Sequence, residues 1–300
     1  MEGRKPFGIV ILIVALLLVV GGPLLLHFGQ KRHNRLDFDV AARYPADRAI
    51  VGGEVYASAV IAIMEHELDA VTGWRPNDFV LWGPMLWADN NSNRQLGIIL
   101  AVRESVRVFK DHLTKVSSNE YDRNLVNADT VFRNSAEKLW LPSAESKFRE
   151  GVRNLQAYVA GLRTTPPQSR PINQRNIELI RLFQAWGDML GDAHGALYRQ
   201  PASTFQSDDD FYHAQGVAHV IHHLSHAVAR EYAAEYAGRP TVKTLLNEVA
   251  VALGEAAVLK PLIVFNGRSD GIVANHRRNL DAYITEARQK IYSIREELEK

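Results

Sequence analysis

The sequence predicts an all-α protein: an N-terminal transmembrane helix followed by a multi-helix bundle with coiled-coil-like seams. Three observations carry this expectation. Residues 7–26 are apolar, glycine or proline without interruption, matching the ~20 residues an α-helix needs to cross the hydrocarbon core of a bilayer. Through the rest of the chain, apolar residues recur at steps of three and four, the period of one helix face. A single strand-like run, residues 261–265, stands against many helical ones.

The apolar run continues through Pro23 and Leu24 before His27 ends it. A cleavable signal peptide has a shorter core and a small-x-small site, so the run reads as an uncleaved anchor. Arg4, Lys5 and the terminal amine on one side balance Lys31, Arg32 and Arg35 on the other, and the flanking charges set no orientation. Long following domains translocate largely regardless of such charge, and the soluble domain is expected on the periplasmic side of the inner membrane. The expected organisation is a tail and anchor at 1–30, a polar linker at 31–53 containing Pro45 and the Gly52–Gly53 pair, and a helical domain at 54–300. A Pro-rich stretch near 164–172 is the best internal boundary.

Each element follows from spacing and punctuation. Val55, Ala59, Val60, Ile63 and Ala70 form a helical stripe closed by Gly73 and Pro76. Residues 74–87 hold three of the five tryptophans among helix breakers and read as an aromatic-packed connection. Asn90 and Asn91 are expected to cap a helix with the stripe Leu96, Ile99, Val102, Val106, Phe109, Leu113 and Val116. A short helix ending near Trp140 follows, and Ser143 with Glu145 and Ser146 opens one carrying Phe148, Val152, Leu155, Val159 and Leu162. Asn173 starts the next. Residues 207–210 are expected to be an acidic cap for a long helix ending at Gly238, Arg239 and Pro240. A helix over about 241–257 precedes the last, where Leu280, Ile284, Ala287, Ile291, Ile294 and Leu298 make a heptad seam for an intramolecular bundle or a dimer.

Composition excludes several function classes. Thirty-five basic residues against 34 acidic give a formal charge of +1, so no global field draws the chain to nucleic acid. With no cysteine, disulfides, thiolate zinc sites, iron–sulfur clusters and cysteine nucleophiles are ruled out. No phosphate-binding loop, dinucleotide fingerprint or nucleophile elbow occurs.

The densest candidate for chemistry is His219, His222, His223 and His226. Spacings of three and four put all four on one helix face, with Val217, Val220, Ile221, Leu224 and Val228 opposite, so the histidines are expected to be solvated or to face a partner. Imidazoles at i and i+4 are suited to a divalent transition metal completed from a neighbouring helix. Clustered imidazoles also suit a pH switch, and the plainer reading is a polar face that happens to be histidine-rich. Glu65, His66, Glu67 and Asp69 form a second polar knot. Glu67 lies near the apolar face there, as an acid of raised pKa or, more often, the partner of a base. Asp188 and Asp192 with His194 are a weaker set that usually caps or solvates a helix end. The loop over 266–270 leading to Asn275, His276, Arg277 and Arg278 suits an anion or, more simply, a basic helix start paired with acids. The tryptophans read first as core and second as a lipid or glycan surface.

Three blocks resemble a known family: Leu86-Trp87-Ala88-Asp89-Asn90 with the helix start at 97–102; Leu141-Pro142-Ser143-Ala144-Glu145-Ser146 with Phe148-Arg149-Glu150-Gly151; and Phe265-Asn266-Gly267 with Ala274-Asn275-His276. The chain resembles bacterial domain-of-unknown-function family 2333, single-pass inner-membrane proteins of uncharacterised function. The resemblance spans most of the chain beyond the anchor. It implies an N-in topology with an external helical domain and brings no activity; the basic residues after the anchor depart from that topology pattern. The expected function is a membrane-anchored helical scaffold or partner-binding protein of the bacterial envelope. Residues 7–26 hold the bilayer, and a protein partner or self-association is expected. The alternative is a metal- or ligand-binding protein, or a hydrolase, built on the His219, His222, His223 and His226 face.

Overall fold

The computed structural model describes residues 4–22, 25, 28, 29, 32, 34, 36, 40, 49–70, 72–78, 89–114, 120–173, 176–261, 263–267 and 272–300. Among these the architecture is all-helical, and the expected strand-like run contributes no strand, only an isolated bridge between Asn266 and Asn275. The apolar N-terminal run forms α1 (Arg4–Leu16), continued by a π-helical stretch Leu17–Gly21. Its apolar side chains are exposed. No helix among the described residues is long and apolar enough to cross a membrane; Pro23, Leu24 and Leu26, which complete the sequence run, lie outside the described residues. So does most of the 31–53 segment, but Asn34, Leu36 and Val40 do not. Asn34 Nδ2 donates to Asn91 Oδ1 at 2.9 Å, and Val40 is buried in the core.

The bundle begins with α2 (Glu54–Leu68), entered through Gly53 in the left-handed region at φ 96°. A side chain there would also collide with the Tyr158 hydroxyl, so both backbone and packing demand glycine. Next is α3 (Asn90–Val108), extended by a π-helical turn Phe109–Leu113. Here the expected cap is corrected: Asn90 and Asn91 sit inside the first turn, buried, with Asp89 at the N-cap position. The amide of Asn91 is used for the tertiary bond to Asn34 instead.

α4 (Arg123–Phe132) is capped by Asp122, whose Oδ1 accepts from the backbone N–H groups of Asn124 and Leu125 at 2.9 and 3.2 Å. It stops well short of Trp140. Arg103 of α3 terminates it, donating from Nε to the carbonyl of Phe132 at 2.5 Å and from Nη2 to that of Asn134 at 2.6 Å. α5 (Ala144–Leu162) opens as its sequence predicts, with Ser143 Oγ accepting from Ser146 N–H at 3.3 Å. α6 (Asn176–Tyr198) follows a loop that includes the Pro-rich stretch. The hydrophobic cluster includes residues before and after that stretch.

α7 (Thr204–Glu231) starts earlier than residues 207–210 suggest. Ser203 Oγ accepts from Gln206 N–H at 3.1 Å while Gln206 Oε1 accepts from Ala202 N–H at 2.8 Å, a reciprocal box that leaves the acidic residues inside the helix. It also ends earlier, at Glu231, giving way to a four-residue α8 (Ala233–Tyr236) before Pro240 opens α9 (Pro240–Val258) at its first position. α10 (His276–Glu299) is capped by Asn275, whose Oδ1 accepts from Arg278 N–H at 2.9 Å. Its heptad seam, Leu280, Ile284, Ala287, Ile291, Ile294 and Leu298, is wholly buried as α10 packs on α6 and α9. The seam is therefore intramolecular.

α7 is the central rod, packed against α2, α3, α6 and α9. Its tightest neighbour is α3, because Gly97 and Gly216 bring the two backbones into contact. A Cβ on Gly97 would overlap the carbonyl oxygen of His213, and one on Gly216 that of Arg94. Such an approach maximises dispersion contact between helices and admits no side chain. Gly216→Ala is expected to lower the unfolding free energy by about 3 kcal/mol, the upper range for overpacking, since the obstacle is backbone. Gly195→Ala in α6, where nothing lies within 4 Å, is expected to raise it by up to ~1 kcal/mol through helix propensity. Urea denaturation followed by circular dichroism compares the two.

Candidate functional site

The histidines on α7 are largely buried, and this corrects the expectation from helix patterning. His219 is 1% exposed and His223 6% exposed; His222 is half-buried, and only His226 is exposed. Patterning assigns one dry and one wet face to a helix, whereas α7 is enclosed on several sides and buries both stripes. Spacings of one and four bring the rings edge to face: His219–His223 centroids are 4.8 Å apart, and His222–His223 and His222–His226 are 4.9 Å apart.

The side chains do not all share one neighbour. His222 turns to α9, its Nδ1–H donating to the Ala250 carbonyl at 2.7 Å. Gly254 leaves room for the ring, since a Cβ there would stand 3.1 Å from it. His219 and His223 sit in the field of Arg94 on α3 and His66 on α2. Burial, then these neighbouring charges, holds His219 well below the usual imidazole range and His223 down to about 2. Burial likewise brings His222 to about 4 and lowers His226. At neutral pH the cluster is a set of uncharged imidazoles.

Beside them lies an ion pair buried on both sides. Glu67 and Arg94 are both essentially inaccessible, with Arg94 Nη1 donating to Glu67 Oε1 at 2.9 Å. Gln95 Nε2 donates to the second carboxylate oxygen at 3.1 Å, and Gln95 Oε1 accepts from the backbone N–H of Arg75 at 2.8 Å. Glu67 is thus the partnered carboxylate that its place on the apolar face suggests, set at the junction of α2 and α3. Neutral imidazoles around Arg94 avoid adding to its charge, and that is the electrostatic condition for burying them together.

Other predicted residues are placed elsewhere. Asp188 and Asp192 are exposed, and His194 joins Asp281 of α10 instead, Nδ1 to Oδ1 at 2.7 Å. Arg277 is buried and caps α6, donating from Nη2 to the carbonyls of Ala196, Leu197 and Arg199 at 2.6, 3.1 and 2.9 Å, with Asp210 3.3 Å from Nη1. That is the simpler of the two readings of the basic helix start. Asn275, beyond capping α10, donates from Nδ2 to the carbonyl of Gly267 at 2.5 Å. Residues 268–271 and the tryptophans at 82 and 87 lie outside the described residues. Trp74 and Trp186 are core, donating to the Ala136 carbonyl and to Ser105 Oγ at 2.8 and 3.2 Å. Trp140 is exposed, against its first reading as core.

One polar centre has no local signal in the sequence. Glu231, at the end of α7, accepts from the backbone N–H groups of Gly53, Val55 and Tyr56 at 2.8, 2.9 and 3.0 Å, and so caps α2 from 175 or more positions away. Burial raises its carboxyl to about 7 against the opposing pull of these three bonds. Asp89 is raised to about 7 by burial and by Asp209.

These arrangements hold the bundle together. Among the described residues no three His, Asp, Glu or Cys side chains are grouped to hold a metal ion. The class defined is an all-α bundle with a buried ion pair and a neutral histidine cluster at its centre. A family model described as "Uncharacterized protein conserved in bacteria (DUF2333)" matches residues 6–197 and 192–300, and the chain belongs to that bacterial family. Neither a curated protein nor a solved structure matches it.

Two outcomes follow. Glu67→Ala leaves a buried guanidinium uncompensated and is expected to cost about 3–5 kcal/mol, while Glu67→Met with Arg94→Met recovers most of it; a double-mutant cycle in urea reads this. The pH effects have opposite signs. His223, depressed in the fold, contributes stability that is complete above its unfolded pKa and lost as pH falls toward about 2. Glu231, raised in the fold, contributes stability that is complete below its unfolded pKa and lost as pH rises through about 7. Between pH 6 and 5, His223→Leu is therefore expected to flatten the acid loss of stability and Glu231→Gln to steepen it, each by up to ~1.4 kcal/mol per pH unit.

Proposed function

We propose that this protein is a membrane-anchored helical scaffold of the bacterial envelope, held in the inner membrane by one N-terminal helix and carrying its bundle on the periplasmic side. In this reading residues 1–30 are tail and anchor, 31–53 the connection, and 54–300 the domain that binds a protein partner or a second copy. The observation that carries it is the helical run from Arg4 to Gly21, whose apolar side chains are exposed, Leu12 by 69%. Its uncharged part, Phe7 to Gly21, rises about 22 Å, most of the ~30 Å hydrocarbon thickness, and each leucine left in water forfeits about 1.5–3 kcal/mol. A bilayer removes that cost. The scaffold role is supported by the polar centres, which cap helices and pair charges inside the bundle.

The chain has no native cysteine, which makes a direct test available. In spheroplasts, the full-length protein carrying Gln168→Cys is expected to resist alkaline carbonate extraction and to react with a membrane-impermeant maleimide before lysis. Release by carbonate would remove the anchor, and labelling only after lysis would place the domain on the cytoplasmic side. In-cell crosslinking with purification in mild detergent is expected to yield a partner in comparable amount.

A second reading, a divalent transition metal or ligand on His219, His222, His223 and His226, is favoured by one feature. The Nδ1–H bond from His222 to Ala250 fixes that ring's tautomer, the device that orients metal-binding imidazoles. Elemental analysis of the same preparation, with and without His222→Ala and His226→Ala, decides it.

A further inference from the structure

The helices arrange their ends so that one end of the bundle is defined by a chain of contacts. Glu67 at the end of α2 meets Arg94 at the start of α3, and Asn93 Nδ2 donates to Asp209 near the start of α7 at 2.6 Å. Arg149 in α5 reaches the Leu68 carbonyl at the end of α2 and Asp69 just past it. The Tyr212 hydroxyl near the start of α7 donates to the Pro261 carbonyl just past α9, at 3.3 Å. Arg277 at the start of α10 caps the end of α6. The described residues of the connections 133–143, 199–203 and, after α9, 259–261, 263–267 and 272–275 therefore share one end.

That end is the one the chain reaches first after its apolar N-terminal run. Asn34 is bonded to Asn91 in the first turn of α3, eight residues past Leu26. Eight residues extend at most about 28 Å, less than the ~42 Å rise of the 28-residue α7. A bilayer holding residues 7–26 thus faces this end.

The same end exposes large apolar side chains. Trp140 is 77% exposed and Leu141 95%, Ile272 is fully exposed, and Phe205, Phe265 and Val273 are exposed as well. At the opposite end the exposed large apolar residues among the described ones are Ile50, Tyr121 and Ile177, with no tryptophan. Exposed basic residues neighbour the apolar tips: Lys138 precedes the Trp140 loop, and Arg199 and Arg278 flank Tyr198, with the Arg278 guanidinium 4.8 Å from its ring centroid. Acids share this end: Glu137 and Asp69 are exposed, Asp69 paired with Arg149, and Asp208, Asp209 and Asp210 are partly exposed. Tryptophan and long apolar side chains beside lysine and arginine match the interfacial layer of a membrane with anionic headgroups.

We propose that this end of the bundle is a lipid-docking surface, with Trp140, Leu141, Phe205, Phe265, Ile272 and Val273 entering the interface of the bilayer that holds the N-terminal helix. The domain then lies against the membrane instead of standing off on a tether. The proposal rests on the membrane-anchored reading.

The test uses the full-length chain in vesicles of phosphatidylethanolamine and phosphatidylglycerol, spin-labelled one position at a time through Leu141→Cys, Ile272→Cys and, at the opposite end, Ile177→Cys. Flotation is measured first. Labels at 141 and 272 are expected to collide with an aqueous nickel chelate several-fold less than the label at 177, and with oxygen more. Adding Trp140→Glu to the Ile272→Cys chain is expected to restore much of the chelate collision; all four substituted sites are exposed, so the fold tolerates them. Vesicles that float with the protein while all three labels are equally open to the chelate would leave the anchor standing and overturn the docking. Protein that does not float would overturn the anchor itself. Spin–spin broadening between copies at 141 and 272, persisting in detergent micelles, would assign the surface to self-association and overturn lipid docking.

Discussion

The backbone contact between α3 and α7 at Gly97 and Gly216 is the constraint on which the rest of this bundle depends. Two helices with no side chain between them at their crossing are held in one relative position, because neither can shift without losing contact along the crossing. With α3 clamped to one side, α9 and α6 close around the others, and α2 lies along the same rod. A 28-residue helix becomes the axis of the domain instead of a surface element.

Burial of the axis dictates its electrostatics. Imidazoles beside a guanidinium in a dry interior survive only as neutral rings, and Arg94 itself survives only because Glu67 is held against it by α2. The opposite end of α7 solves a different problem. Glu231 accepts three bonds from the first amides of α2, so a single carboxylate replaces the side-chain cap that Gly53 cannot provide. Histidines depressed by burial and carboxyls raised by burial respond to acid in opposite senses, and the domain's pH dependence is the difference between them.

The same architecture separates the two ends of the bundle. Helix starts and stops at one end are tied by charged and amide side chains to one another, leaving their connecting loops to carry Trp140, Leu141 and Ile272 outward. Exposure of this kind on a small set of loops, on the side where the chain rises from its apolar N-terminal run, is what an interfacial surface requires.

The sequence by itself determined what depends on near neighbours along the chain. Helical class follows from three–four spacing, the start of α5 from the Ser143 hydroxyl three residues before Ser146, and the buried face of α10 from its heptad. These are bonds and periodicities within one or two turns. Tertiary structure alone decided what depends on separation: that His219 and His223 on the histidine face of α7 are buried, that Glu67 belongs to Arg94, that Arg277 serves the end of α6, that Glu231 caps a helix it never neighbours in sequence, and that Trp140 points out. Periodicity says which residues share a face. It does not say how many faces of a helix the fold will cover, because that is set by the distance at which helices can approach, and here two glycines set it.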